Sequence, residues 1–250
     1  MFSILLTCSP ERKDELIAEL WEAGTEGVVE EDGRLRAFFE QSIDAAQMME
    51  RFAGFGPDLR NEAPVNWEQV SRDAWPPLLI GEKFFLVAPW RGDPTPDGRL
   101  RLEITPGMAC GTGRHPATQL CLEALERYVR PGDFVLDVGT GSGILSAAAS
   151  LLGAAQVVSC DIDSDAIAIA RERLDSALLI GSADAIGGAV ADIVVANINS
   201  AVIEQLAAEL ARVRKPRSTL ILAGFPEWDV PEGFNVLESL KRDEWVCWIC

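Results

Sequence analysis

The sequence predicts a two-part α/β protein: a small α+β unit at the amino end and then, from residue 101, a doubly wound, mostly parallel seven-stranded sheet covered by helices on both faces. Three observations carry this expectation. Apolar strand runs alternate with amphipathic helical periods from Leu100 onward, a pattern that specifies parallel strands joined by helical crossovers. One of these strands, Phe134-Val-Leu-Asp137-Val138, runs straight into Gly139-Thr140-Gly141-Ser142-Gly143 and then an apolar helix. Residues 1–62 instead read β-α-β-β-α, the split, ferredoxin-like order.

At the amino end, Phe2 to Leu6 is an apolar run of strand type. Ser9-Pro10 offers an N-cap with proline at the first helical position, and Leu16, Ile17, Leu20 and Trp21 share one helical face before Gly24. Gly27 to Glu31 and Leu35 to Phe39 flank Asp32-Gly33, the turn signal of a hairpin. A second helix is expected from Ser42 to about Phe52, and a weak strand after Pro57 completes the unit.

Residues 63–100 hold Pro64, Pro76, Pro77, Pro89, Pro94 and Pro96 with Trp67, Trp75 and Trp90, around one clear strand from Lys83 to Ala88. Proline at this density marks a connector, and the interleaved tryptophans predict that it packs against a neighbour. The expected division is a domain over 1–62, a proline-rich linker over 63–100 and the main domain over 101–250. In the main domain, strands are predicted at Phe134–Val138, Val157–Asp161, Ala177–Ile180, Ile193–Ala196, Thr219–Ala223, Phe234–Leu237 and Trp245–Ile249. Helices are predicted near His115–Tyr128, Gly143–Leu152, Asp163–Leu174 and Ser200–Val213.

Charge narrows the partners. The 250 residues include 39 Asp or Glu against 22 Lys or Arg, a formal charge of -17. Nucleic-acid binding through phosphates needs a basic stripe, and no run of Lys or Arg supplies one, so a macromolecular partner is expected to be cationic. Residues 1–62 contain 14 acids and 6 bases, a net of -8, which reads either as a docking surface for a basic partner or as a solvated acidic face. No apolar run reaches the ~18–20 residues that span a bilayer. Charged Glu11-Arg12-Lys13 follows the first strand directly, with no basic leader before it, so a cytoplasmic location without membrane contact is expected. The 6 Cys are scattered in apolar surroundings, as reduced core thiols are. Cys247-Trp-Ile-Cys250 has C-x-x-C spacing, but a strand there sends the two thiols to opposite faces, and no metal site is expected.

Four segments carry chemistry. In the loop after Phe134–Val138, glycines let the chain turn sharply and a ligand approach without Cβ interference. The spacing is G-x-G-x-G after Asp137, whereas a dinucleotide fold needs G-x-G-x-x-G, and position 144 is Ile. A nicotinamide-dependent dehydrogenase is thereby disfavoured, and the absence of G-K-[ST] excludes a P-loop. Asp161 ends the next strand 22 residues after Gly139, where a carboxylate accepts from ribose hydroxyls; Asp163 reads mainly as the cap of the following helix. The spacing Asp161-x-Asp163-x-Asp165 imitates a calcium loop but has Ala166 where glycine is required. Asn197 follows the strand Ile193–Ala196 beside the glycine loop, and Asn199 or Ser200 is expected to cap the next helix. Finally, Thr105 to Thr118 is glycine-rich and opens a helix, suited to laying N–H groups and hydroxyls over a cofactor. His115, the only His, reads there as a structural hydrogen-bonder, with general-base catalysis as the alternative.

These pieces, in this order, resemble the class I S-adenosylmethionine-dependent methyltransferases. A closer resemblance is carried by Pro106-Gly-Met-Ala-Cys-Gly-Thr-Gly-Arg-His-Pro-Ala-Thr118, Asp137-Val-Gly-Thr-Gly-Ser-Gly-Ile-Leu145, Gly153-Ala-Ala155, Asp161-Ile-Asp163 and Val195-Ala-Asn-Ile198. These blocks, with Trp75 to Trp90 and Asp243-Glu-Trp245, are similar to the PrmA family, which methylates large-subunit ribosomal protein eleven. The resemblance implies S-adenosylmethionine as cofactor, contacted by Thr118, Gly139, Asp161 and Asn197, with Gly141, Thr112 and Asp137 from the same loops. It implies methyl transfer to lysine side chains and the N-terminal amine of a basic ribosomal protein presented by the small first domain. Asn197 is expected to orient the amine, and Asp137 to steady the glycine loop or the cofactor's amino acid end. A monomer is expected; the alternative acceptor is another protein lysine or a small molecule. The sequence departs from the family at Ala117, in a short stretch from Arg173 to Asp192, and in 224–234, which lacks the usual helix.

Overall fold

The computed structural model describes residues 1–31, 33–62, 75–105 and 112–250. It divides into two units, Met1–Ala74 and Trp75–Cys250.

In the first unit, β1 (Phe2–Leu6), β2 (Gly27–Glu31), β3 (Arg34–Phe39) and β4 (Asp58–Asn61) form an antiparallel sheet ordered β2–β3–β1–β4. Phe2, Ile4 and Leu6 alternate along β1, so one face of the strand meets a single apolar core. That core holds Leu16 and Leu20 of α1 (Lys13–Glu22), Met48 of α2 (Ala45–Arg51), Phe39 and Phe52. Both helices start later than the sequence suggests. Ser9 makes no side-chain cap bond, and Pro10–Arg12 forms one tight 3-10 turn before α1. Asp44 rather than Ser42 caps α2, its carboxylate accepting from the N–H groups of Ala46 and Gln47; an Asp cap satisfies donors that the first turn leaves orphaned.

The second unit starts at Trp75, so the residues from 75 to 100 of the expected linker belong to it, while 63–74 lie outside the described residues. β5 (Leu78–Ile80), β6 (Phe84–Val87) and β7 (Leu100–Glu103) form a three-stranded sheet. Ile80, Phe84, Leu86 and Leu102 from these strands are buried in the same core as Leu120, Ala124 and Leu125 of α3 (Pro116–Tyr128). Burial on that helix is what removes the segment from the class of free connectors. A polar tie reinforces it: the Glu126 carboxylate accepts from the N–H groups of Glu82 and Lys83 at 3.0–3.1 Å.

The large sheet is built from β8 (Phe134–Val138), β9 (Gln156–Asp161), β10 (Ala177–Ile180), β11 (Ala191–Asn197), β12 (Arg214–Pro226), β13 (Glu238–Arg242) and β14 (Trp245–Ile249). Their order is β10–β9–β8–β11–β12–β14–β13; the first five are parallel, and β14 is antiparallel to both β12 and β13. The intervening helices are α4 (Ile144–Leu151), α5 (Ser164–Arg171) and α6 (Ser200–Val213). Alternate residues supply the two faces: Val135, Val195 and Ile221 pack toward α3 and α4, whereas Leu136, Val194 and Leu222 pack toward Ile203 and Leu210 of α6. Cys247 and Cys250 fall on opposite faces by the same period.

Several boundaries differ from the sequence reading; one strand runs over Arg214–Pro226 rather than Thr219–Ala223. The strand before the last is Glu238–Arg242, not Phe234–Leu237, because Arg242 pairs with Trp245 across a two-residue turn in which Asp243 has φ 53°; a hairpin this tight fixes the register from the turn outward. α5 ends at Arg171, short of Leu174. No helix among the described residues is long and apolar enough to cross a membrane. Strand order reverses direction between β8 and β11, and ligands of open α/β sheets sit beyond the carboxyl ends of the strands at such a switch point.

Candidate functional site

The glycine loop sits at that switch point. It is stitched to β9, with the N–H groups of Gly139 and Thr140 donating to Cys160 O at 2.8 and 3.1 Å. Gly139 has φ 75°, and a Cβ there would lie 2.4 Å from Cγ2 of Ile198, so both backbone and packing demand glycine. Gly141, at φ 52°, presents its N–H to Asp161 Oδ2 at 2.9 Å. Asp161 Oδ1 accepts from Asp163 N–H at 3.0 Å. One hydrogen bond on each oxygen holds the half-buried carboxylate in place and leaves it lone pairs for further donors. Asp163 caps α5, accepting from Asp165 N–H at 2.8 Å.

Asp137 faces inward. It is fully buried, and its Oδ2 accepts from the hydroxyls of Thr140 and Ser146, both at 2.7 Å, while Ser146 also contacts the Ser159 hydroxyl at 2.6 Å. Oδ1 is buried without a hydrogen-bond partner among the described residues. Burial pushes this carboxyl up to about 6, against the lowering effect of the Ser146 and Thr140 hydrogen bonds. Through Thr140 it steadies the glycine loop from beneath.

Asn197, half-buried at the end of β11, donates from Nδ2 to the hydroxyl of Thr118 at 3.1 Å. Thr118 is buried in the first turn of α3. His115 is the cap of that helix, its Nδ1 accepting from Ala117 N–H at 3.3 Å, and its ring meets Trp245 edge-on with centroids 4.4 Å apart. Cap and ring contact make His115 a structural hydrogen-bonder at the start of α3. Asn199 caps α6, accepting from Val202 N–H at 2.9 Å. Residues 106–111 of the glycine-rich segment lie outside the described residues. Thr112 follows them, and among the described residues nothing joins it to Asp161 or Asn197.

Sequence reasoning missed two groups here. Ile162 and Ile180 are 82% and 59% exposed at the carboxyl ends of β9 and β10; the only signal was an apolar residue set between the acids Asp161 and Asp163. Arg173 donates to Ser142 O at 2.7 Å, supporting the loop from the α5 side. A cavity of about 680 Å³ reaches Arg173 but lies mostly away from this site. Its lining includes Gln156 and Ala177, the first residues of β9 and β10, at the opposite ends of the strands.

The model of the ribosomal protein L11 methyltransferase (PrmA) family matches residues 8–250. The chain belongs to the PrmA family. It is similar to the ribosomal protein L11 methyltransferase of Burkholderia mallei (strain NCTC 10229), with 42% identity over 200 residues, 76% of this chain and 66% of that protein. The protein of the same name from Burkholderia ambifaria (strain MC40-6) is 42% identical over 170 residues, 67% of this chain and 56% of its own length. The match thus takes in 56–66% of the length of these curated PrmA relatives. A crystal structure of the ribosomal protein L11 methylase from Lactobacillus delbrueckii subsp. bulgaricus superposes with a TM-score of 0.63 at 27% identity, covering 69% of this chain and 96% of that one. The fold is the mixed α/β sheet of class I methyltransferases, and the resemblance read from the glycine, Asp161 and Asn197 blocks is that of a true member of the PrmA family.

Proposed function

We propose that this chain is an S-adenosylmethionine-dependent protein N-methyltransferase that modifies lysine side chains and the N-terminal amine of ribosomal protein L11. The observation that carries the reading is the convergence, at one switch point, of the Asp161-held glycine loop and the Asn197–Thr118 pair. The residues present suit the cofactor. Asp161 keeps acceptor capacity for ribose hydroxyls, Ile162 and Ile180 offer exposed apolar surface to a base, and the Cβ-free loop supports close approach of the amino acid end. Gly139, Gly141, Asp161 and Thr112 would hold it, with Asp137 acting through the loop and the buried Thr118 through its hold on Asn197. When bound, S-adenosylmethionine supplies a methyl group already activated on a sulfonium.

What the chain's own residues contribute is position. With its Nδ2 engaged by Thr118, Asn197 has its Oδ1 left to accept from an acceptor amine and orient the nitrogen lone pair. An α-amine with pKa near 7.8 is already about a quarter neutral close to physiological pH, and a lysine near 10.4 loses its proton to solvent before transfer. Neither needs a dedicated base, in keeping with His115 serving as a cap.

The first unit, with the ferredoxin-like β-α-β-β-α-β order and a net charge of -8 over residues 1–62, is the proposed recognition domain for the basic substrate. The chain is proposed to act in the cytoplasm as a monomer, without direct nucleic-acid contact. The test is mass spectrometry of purified ribosomal proteins after incubation with the enzyme and labelled cofactor. Methyl increments on L11 are expected; increments confined to another protein would move the substrate assignment, and none on any protein would reject the activity.

A further inference from the structure

Beyond β12, on the side of Asn197 away from the proposed cofactor residues, the rim of the sheet carries a large apolar side chain with no part in the site described above. Trp228 is 72% exposed, two residues past the end of β12. Its loop is anchored on both flanks. The buried Ser200 hydroxyl donates to Asp229 Oδ2 at 2.9 Å, tying the loop to the first residue of α6, three positions after Asn197. Glu227 N–H donates to Glu244 O at 2.9 Å, and Pro226 pairs with Trp245, whose ring contacts His115 at the start of α3.

Acids outnumber bases around this indole. Residues 227–232 include Glu227, Asp229 and Glu232 and no Lys or Arg. The adjoining hairpin turn adds Asp243 and Glu244, all five acids being exposed. Of the neighbouring bases, Lys241 is paired with Glu227, and Arg242 with Glu123 at 2.6 Å. A lone exposed tryptophan is ordinary. One fixed at the acceptor side of a switch point, inside an acidic rim, matches a particular ligand chemistry: an aliphatic stem that packs on an indole and ends in a cation. Polyanions and a second copy of this acidic chain are repelled by the same rim.

We infer that Trp228 and its acidic flanks form the acceptor-side recognition surface for a lysine-bearing segment of a basic protein. The inference rests on the proposed activity for its biological meaning, and its binding chemistry is tested apart from it. Fluorescein-labelled octalysine is titrated by anisotropy against the full chain and its W228A and W228F variants, with S-adenosylmethionine affinity measured calorimetrically on each. Expected is a loss of about five-fold or more in octalysine affinity for W228A, retention within about two-fold for W228F, and cofactor affinity unchanged within about two-fold in both. Octalysine binding to W228A equal to wild type, or no octalysine binding by the wild-type chain, overturns the surface. Trp228-dependent binding without methyl transfer to any basic protein leaves the surface standing and removes the activity. Transfer to L11 by W228A with wild-type KM leaves the activity standing and removes the surface.

Discussion

The amide of Asn197 and the hydroxyl of Thr118, 79 residues apart in sequence, meet at 3.1 Å and join the end of β11 to the first turn of α3. The contact fixes which end of the Asn side chain faces Thr118. Replacing Thr118 with Val keeps the shape but removes the partner, so Asn197 loses its fixed orientation. T118V is expected to lower kcat for methyl transfer by about 10–100-fold, with cofactor affinity changed far less, and T118S to recover most of the rate. An equal loss in kcat and in cofactor binding for T118V would mean that Thr118 acts on the cofactor directly.

Asp137 makes stability depend on pH in a defined direction. Its carboxyl titrates at about 6 in the fold against an ordinary 3.8, because burial disfavours the charged form. A raised carboxyl stabilises the fold fully below the unfolded value and loses that contribution as pH rises through about 6, a change of roughly 3 kcal/mol. Asn at this position cannot titrate, and its carbonyl still accepts from Thr140 and Ser146. The Tm of D137N minus that of wild type should therefore climb between pH 4 and 7 by about several degrees. A difference flat across that window would show that Asp137 does not titrate there.

Gly139 is constrained twice, by φ 75° and by the Cγ2 of Ile198. G139A is expected to cost about 1–3 kcal/mol in denaturant unfolding. Adding I198A relieves the methyl contact but not the dihedral strain, so it should restore only part of the loss. Complete restoration in the double variant would assign the whole cost to the clash.

Added salt should separate the two ligands. The acidic first unit steers a basic protein through screened charge, so raising ionic strength from about 0.05 to 0.3 M should raise KM for the protein substrate several-fold. S-adenosylmethionine affinity, measured by calorimetry in the same buffers, is expected to stay nearly constant. A salt-insensitive KM would return the acidity of residues 1–62 to a solvated face.

Much of the site was legible before any coordinates. The G-x-G-x-G loop, Asp161 at the end of the next strand and Asn197 at the end of a further one are each written within a single strand and its turn. Element ends were less legible. Ser9-Pro10 reads as a cap and yields only a 3-10 turn, and Ser42 loses to Asp44, since several residues near a helix start can satisfy the same donors. The run Phe234-Asn-Val-Leu237 looks like a strand, yet the tight turn at Asp243 places the strand at Glu238–Arg242.

By itself the sequence determined the alternation of strands and helices, the positions that must be glycine and the family, because these depend on periodicity, φ sign and local spacing. Only the tertiary structure decided that Asp137 turns into a hydroxyl network, that His115 caps a helix against Trp245, that Thr118 holds Asn197 and that Trp228 stands exposed. The Asn197–Thr118, His115–Trp245 and Ser146–Ser159 contacts are meetings of side chains from different elements, and such meetings are set by how helices and strands pack together, which no local pattern encodes.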